Sequence, residues 1–150
     1  MTLQQDLALH ANARLVQVYI DRMVLIYPEK SQQITMSAQF SHPRSSLGDY
    51  FVAESLVSNL VHQTISNAVT VPYLFIQIME RTEAGLTLVE IRAWQELGLS
   101  SGARVVAIYD EMGNSLTSDN LALAQKAQTK LYIWIVVFIV ISLTLYLYQS

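Results

Sequence analysis

Carboxylates stand at three separated points along the chain: Asp21, Asp49 and the pair Asp110-Glu111. Gathered at neighbouring strand ends, such side chains can hold two divalent metals that activate a water and stabilise a leaving oxygen. Asp21, Asp49 and Asp110/Glu111 would have to converge for that, and the first apolar run has Gln17 where an acid is needed. Ser45-Ser46 and Ser100-Ser101 lack the histidine and acid pattern that activates a hydroxyl. His10, His42 and His62 share no metal-ligand spacing, and His62, beside Val61 on an apolar stripe, reads as a structural histidine. No GxGxxG or GxxxxGKS/T run is present to cradle phosphate, and without cysteine there is neither a thiol nucleophile nor a thiolate metal site. The residues therefore assign no catalytic, cofactor-binding or metal-binding side chain. The polar cluster His42-Pro43-Arg44 is the candidate interaction loop, because binding residues concentrate on exposed loops.

Composition narrows the field further. The chain has 150 residues, 52% hydrophobic and 14% charged, with a formal net charge of -3. That length suits about one domain. The negative balance speaks against a nucleic-acid binder driven by phosphate neutralisation. The last charged side chain is Lys130; residues 131–148 read LYIWIVVFIVISLTLYLY, without charge, Gly or Pro. As a helix these residues span roughly 27 Å, close to the hydrocarbon core of a bilayer. Tyr132 and Trp134 at one end, and Tyr146 and Tyr148 at the other, match the interfacial preference of amphipathic rings. A buried core helix would carry a polar face, so the segment reads as a transmembrane helix. Lys126 and Lys130 before it are expected to keep the N-terminal side in the cytoplasm, and no signal peptide is expected, because the first residues lack a basic region and a long apolar run. The expectation is a tail-anchored, single-pass protein of the inner (cytoplasmic) membrane in contact with membrane lipid. Its expected parts are an N-terminal arm 1–13, a cytoplasmic domain 14–117, a juxtamembrane helix 118–130 and the span 131–148.

Hydropathy patterning gives the elements that position the polar residues. Residues 1–12 are polar and weakly helical. Leu15 to Ile20 and Met23 to Tyr27 are two β-rich runs around Asp21-Arg22, the second ended by Pro28. Gln33 to Phe40 alternates Ile34, Met36, Ala38 and Phe40 with polar residues, as a half-buried strand does. After the loop Ser41–Ser46, a helix from Asp49 to Ser66 carries the stripe Ala53, Leu56, Val57, Leu60, Val61 and Ile65, with Asp49 as N-cap. Val69 to Met79 is an apolar run suited to a strand buried on both faces. Thr87 and Glu90 have capping-box spacing before a helix that Gly98 is expected to close. Arg104 to Tyr109 is a further strand, and Ser118 or Asp119 would cap a last helix running into the span. The expected order is βββαβαβα, that of the ribonuclease-H-like fold on which actin-type domains are built.

Three stretches carry a resemblance. Leu47-Gly48-Asp49-Tyr50-Phe51-Val52-Ala53-Glu54-Ser55-Leu56, then Glu83 to Ala93 around Gly85, Thr87 and Glu90, then Glu96 to Glu111 around Gly102-Ala103-Arg104 and Asp110-Glu111, are similar to motifs in the first half of MreB, the bacterial actin homologue. The chain also resembles short MreB-like proteins that carry a "SHPR" loop, as at Ser41 to Arg44. The resemblance implies an α/β fold, a truncated actin-like (ribonuclease-H-like) domain, here followed by a single C-terminal transmembrane helix. At Asp49, Glu54, Gly85, Thr87, Glu90, Gly102, Arg104, Asp110 and Glu111 it implies residues that maintain that fold, with Arg104 in reach of Asp49 or Glu54. By register, Gln17, Tyr19 and Ile20 stand where the family's first phosphate loop has Asp, Gly and Thr. They offer no metal-organising charge, no close backbone approach and no hydroxyl. The nucleotide-binding motifs are thus absent or degraded, and no cofactor is expected.

The function expected from these features is a noncatalytic interaction or scaffold module at the cytoplasmic face, linked to cell shape or envelope assembly. Its protein partner would be an actin-like or envelope protein, or a second copy, and nucleic acid is not expected to bind. The alternatives are a small accessory subunit of a membrane complex and, less favoured, a metal-dependent ribonuclease-H-like enzyme.

Overall fold

The computed structural model describes residues 2–43, 45–64, 71–80 and 85–116. The chain divides into two units, Met1–Ser118 and Asp119–Ser150, and every described residue belongs to the first. The expected juxtamembrane helix and the span 131–148, with Tyr132, Trp134, Tyr146 and Tyr148, lie outside the described residues. Among those described, no helix is long and apolar enough to cross a membrane.

The described elements run α1 (Leu3–Leu9), β1 (Arg14–Val18), β2 (Arg22–Tyr27), a 3-10 turn (Pro28–Lys30), β3 (Gln32–Ser37), α2 (Tyr50–His62), β4 (Val71–Ile78), α3 (Leu88–Ser100) and β5 (Ala103–Tyr109). The class is α/β. A five-stranded mixed sheet has the order β3-β2-β1-β4-β5; β2 is antiparallel to its neighbours, while β1, β4 and β5 are mutually parallel. The strand-first order expected from the sequence omits α1. Thr2 and Gln5 form a capping box that starts this short helix, and Leu3 and Asp6 are buried.

Parity along the strands sorts the sheet into two faces. Ile34, Leu25, Val16, Ile76 and Ile108 are register partners in one row across all five strands. This row faces α2 and α3, which contribute Ala53, Leu56, Val57, Leu60 and Val61, and Ile91, Trp94 and Leu97, to the same core. Val24, Gln17, Gln77 and Tyr109 make a row on the opposite face. There α1 lies, with the Tyr109 hydroxyl donating to Asp6 Oδ2 at 2.7 Å. β4 is buried on both faces, as its unbroken apolar run requires. β3, at one edge, keeps its outward residues exposed in strict alternation.

β1 ends at Val18 and α2 at His62, short of the expected Ile20 and Ser66, and two further boundaries differ for identifiable reasons. β3 ends at Ser37 instead of Phe40: Ala38 N–H donates to the Asp21 carbonyl, and Phe40 turns into the core at 6.4 Å from Trp94, ring edge to face. Gly98 does not close α3, which runs on to Ser100. A Cβ at Gly98 would stand 2.7 Å from Val106 Cγ1, so the missing side chain lets the helix lie close on β5. The chain reverses instead at Gly102, whose φ of +95° is open to glycine at little cost.

Candidate functional site at the strand ends

Open α/β sheets bind their ligands outside the carboxyl ends of the parallel strands. That edge is here formed by the ends of β1, β4 and β5, by the loop 41–48 and by the first turns of α2 and α3. At its centre the polar residues of neighbouring strands meet as register partners. Gln17 Nε2 donates to Gln77 Oε1 at 3.0 Å, Gln77 Nε2 donates to the Glu111 carbonyl at 3.1 Å, and the Tyr19 hydroxyl donates to Gln17 Oε1 at 3.4 Å. The run of donors fixes both amide orientations and carries no net charge.

The acids named from the sequence are not brought together. Asp110 accepts from the backbone N–H and side-chain amide of Asn114, at 2.7 and 2.9 Å, and so closes its own turn. Asp49 caps α2, accepting from Val52 N–H at 3.1 Å. Asp21 is exposed and pairs with Arg22 at 3.0 Å. Among the described residues no group of three or more His, Asp or Glu side chains could hold a metal ion. Arg104 is exposed and makes no ion pair with Asp49 or Glu54. Glu54 lines an open polar groove of about 330 Å³ with Ser55, Ser58, Asn59 and Ser100.

Glu90 does more than complete its capping box. Its carboxylate accepts from Thr87 N–H and hydroxyl at 3.0 and 2.9 Å, and from the Ser45 hydroxyl and Ser46 N–H at 2.8 and 3.2 Å. Burial pushes the pKa of this carboxyl up, but those hydrogen bonds outweigh burial and hold it below its ordinary value. The Trp94 indole, fully buried, donates to Ser46 Oγ at 3.0 Å. Ser45 and Ser46, expected as loop serines without an acid nearby, thus meet one in Glu90, as anchors of the loop on α3. Within the candidate interaction loop, His42 bridges Ser45 through backbone bonds and Pro43 is exposed, while Arg44 lies outside the described residues. Gly85 takes a φ of +75° on the approach to α3.

Sequence reasoning missed a polar cluster under α1. Asp6 is fully buried, and burial together with the hydrogen bond and charge of Asp6 raises the Tyr109 pKa far above its ordinary value. His10 stacks on Tyr73 at 3.8 Å between ring centroids. Burial lowers the His10 pKa, partly offset by the charge of Asp6. Asp6 Oδ1 and His10 Nε2 are buried without a hydrogen-bond partner. The signals were present: Asp6 stands three residues after Leu3, on the same face of a helix, and Gln77 interrupts an otherwise apolar run. Ile20, Ser41, Ser46, Ile78 and Glu80 help line a recess of about 10 Å³, room for a single water. No protein-family model matches the chain, and no curated protein matches it.

Proposed function

We propose that the chain is a noncatalytic interaction module: a truncated actin-like domain, resembling the first half of MreB, displayed at the cytoplasmic face of a membrane by the anchor 131–148. The observation that carries the reading is the amide relay from Tyr19 through Gln17 and Gln77 to the Glu111 carbonyl. Phosphoryl transfer and two-metal hydrolysis are largely positioning and charge compensation at such strand ends. Here the central side chains are neutral and spend their hydrogen bonds on one another. The strand order, a three-strand meander continued by parallel β4 and β5, supports the actin-like part of this reading. An anchor confines the module to two dimensions and raises its effective concentration toward membrane-associated partners.

The test is affinity recovery of the full-length protein from its native membrane in mild detergent, beside a variant lacking residues 131–150. The expected result is recovery of an actin-like or envelope-assembly protein with both. Recovery only with the span present would make the chain an accessory subunit held through its transmembrane helix. Magnesium-dependent hydrolysis of a nucleotide or nucleic acid by the purified chain, lost in Asp110→Asn, would overturn the noncatalytic reading.

A further inference from the structure

Seven large hydrophobic side chains are exposed among the described residues, and five of them share the carboxyl edge of the sheet. Ile20 follows β1, Phe51 lies in the first turn of α2, Leu88 and Val89 in the first turn of α3, and Met112 in the turn after β5. Phe51, Leu88, Val89 and Met112 are each at least 76% exposed. Leu9 and Leu99, at the ends of α1 and α3, are the two that lie elsewhere. The loop 41–48 stitches the edge together. The Ser41 hydroxyl donates to the Ile20 carbonyl at 2.6 Å, and the Ser45 hydroxyl donates to Glu90, next to Val89, at 2.8 Å.

The charge of this edge is one-sided. Asp21, Asp49, Glu80, Asp110 and Glu111 stand there, with Arg22 as the one described arginine, already paired to Asp21. Arg44, Arg81 and Glu83 adjoin the edge in sequence and leave the balance acidic. Asp49 and Asp110 are used in a cap and a turn, whereas the Glu80 and Glu111 carboxylates have no partner among the described residues. Among the described residues the recess at this edge has room for a single water, and the exposed apolar side chains around it suit a surface laid across it. Exposed apolar side chains flanked by open carboxylates complement an amphipathic helix with Lys or Arg beside its apolar stripe. Two other occupants fit less well. The anionic cytoplasmic leaflet would be repelled, and a second copy would set acid against acid.

We propose that this edge, centred on Val89, Phe51 and Glu80, docks a basic amphipathic helix of a partner protein. The inference rests on reading the domain as an interaction module and names the chemistry of its partner. The test places a photo-crosslinking side chain in the full-length protein in its native membrane, as Val89→benzoylphenylalanine, with Leu99→benzoylphenylalanine at the far end of α3 as reference. The expected adduct at Val89 is a peptide of another protein with Lys or Arg flanking apolar residues at helical spacing. In a Glu80→Lys/Glu111→Lys background its yield should fall about tenfold. Glu111 is exposed and Glu80 half-buried at the rim of the recess, and unchanged circular dichroism would verify the fold. An adduct to lipid, to a second copy or to an acidic peptide overturns the proposal, as does a yield indifferent to the charge reversal. A protein adduct at Leu99 with none at Val89 overturns the docking edge but leaves the interaction module standing. No protein adduct at either position counts against both.

Discussion

The two faces of the sheet are held by different physics. Toward α2 and α3 the contact is almost wholly apolar: the row through Leu25, Val16, Ile76 and Ile108 meets Leu60, Trp94 and Leu97, all fully buried. Each such side chain contributes about 1.5–3 kcal/mol by leaving water, and the sum does not depend on protonation. The opposite face presents Gln17, Gln77 and Tyr109 in one row beside the buried apolar row Leu15, Phe75 and Ala107, and receives α1, a seven-residue helix with Leu3 as its one buried hydrophobic side chain. That helix is fixed by directed contacts: Tyr109 to Asp6, His10 on Tyr73, and Leu3 N–H to the Gly113 carbonyl at 2.9 Å. The first face sets the architecture. The second is where the molecule can be loosened without losing it.

Trp94→Ala should have the largest effect, because it empties the centre of the apolar face and frees Ser46 as well. We expect a loss of about 3–5 kcal/mol, measured by denaturant titration of the full-length chain in micelles with near-ultraviolet circular dichroism. Gly98→Ala comes next. Its methyl group would meet Val106 at 2.7 Å, and overpacking of that kind costs about 1–3 kcal/mol. Tyr109→Phe leaves buried Asp6 without its donor and should cost about 1–3 kcal/mol. Its signature is local: faster amide exchange in α1 with α2 and α3 unchanged. If Tyr109→Phe opened all three helices together, the two faces would be one cooperative unit and the contrast between them would fail.

The apolar face was legible in the sequence because its signal is periodic. The stripe from Ala53 to Val61, the alternation from Ile34 to Met36 and the capping box of Thr87 and Glu90 each repeat a spacing that backbone geometry imposes. The polar face was not, because its contacts join residues far apart in the chain: Asp6 to Tyr109, and Gln17 to Gln77. Local spacing hints that Asp6 and Gln77 face inward but names no partner for either, and a single buried acid in a short polar helix looks like a solvated one. Gly98 shows a related limit. A glycine near a helix end fits a stop signal as well as a close approach to a strand, and Val106 decides between them.

Acid should separate the faces more gently than any substitution. Burial holds the His10 pKa below its ordinary 6.5, so the unfolded chain takes up that proton more readily than the folded one. The groups facing His10 are Asp6, whose charge pulls the other way, and the rings of Tyr73 and Phe75 on β4. The stability that neutral His10 gives is present above pH 6.5 and is lost as pH falls through the lowered value. The Glu90 pKa is held below its ordinary 4.5, so its anchoring of loop 41–48 persists above 4.5 and is lost only in stronger acid. Between the two windows α1 should loosen while the loop stays fixed. Amide exchange, corrected for its intrinsic pH dependence, should therefore quicken in α1 from about pH 7 to about pH 5 and stay level around Ser45 and Ser46. His10→Phe keeps a ring against Tyr73 and removes the titration, so it should flatten the α1 response. Release of the loop before α1, or an unchanged response in His10→Phe, would show that the polar face is held by something other than the side chains seen there.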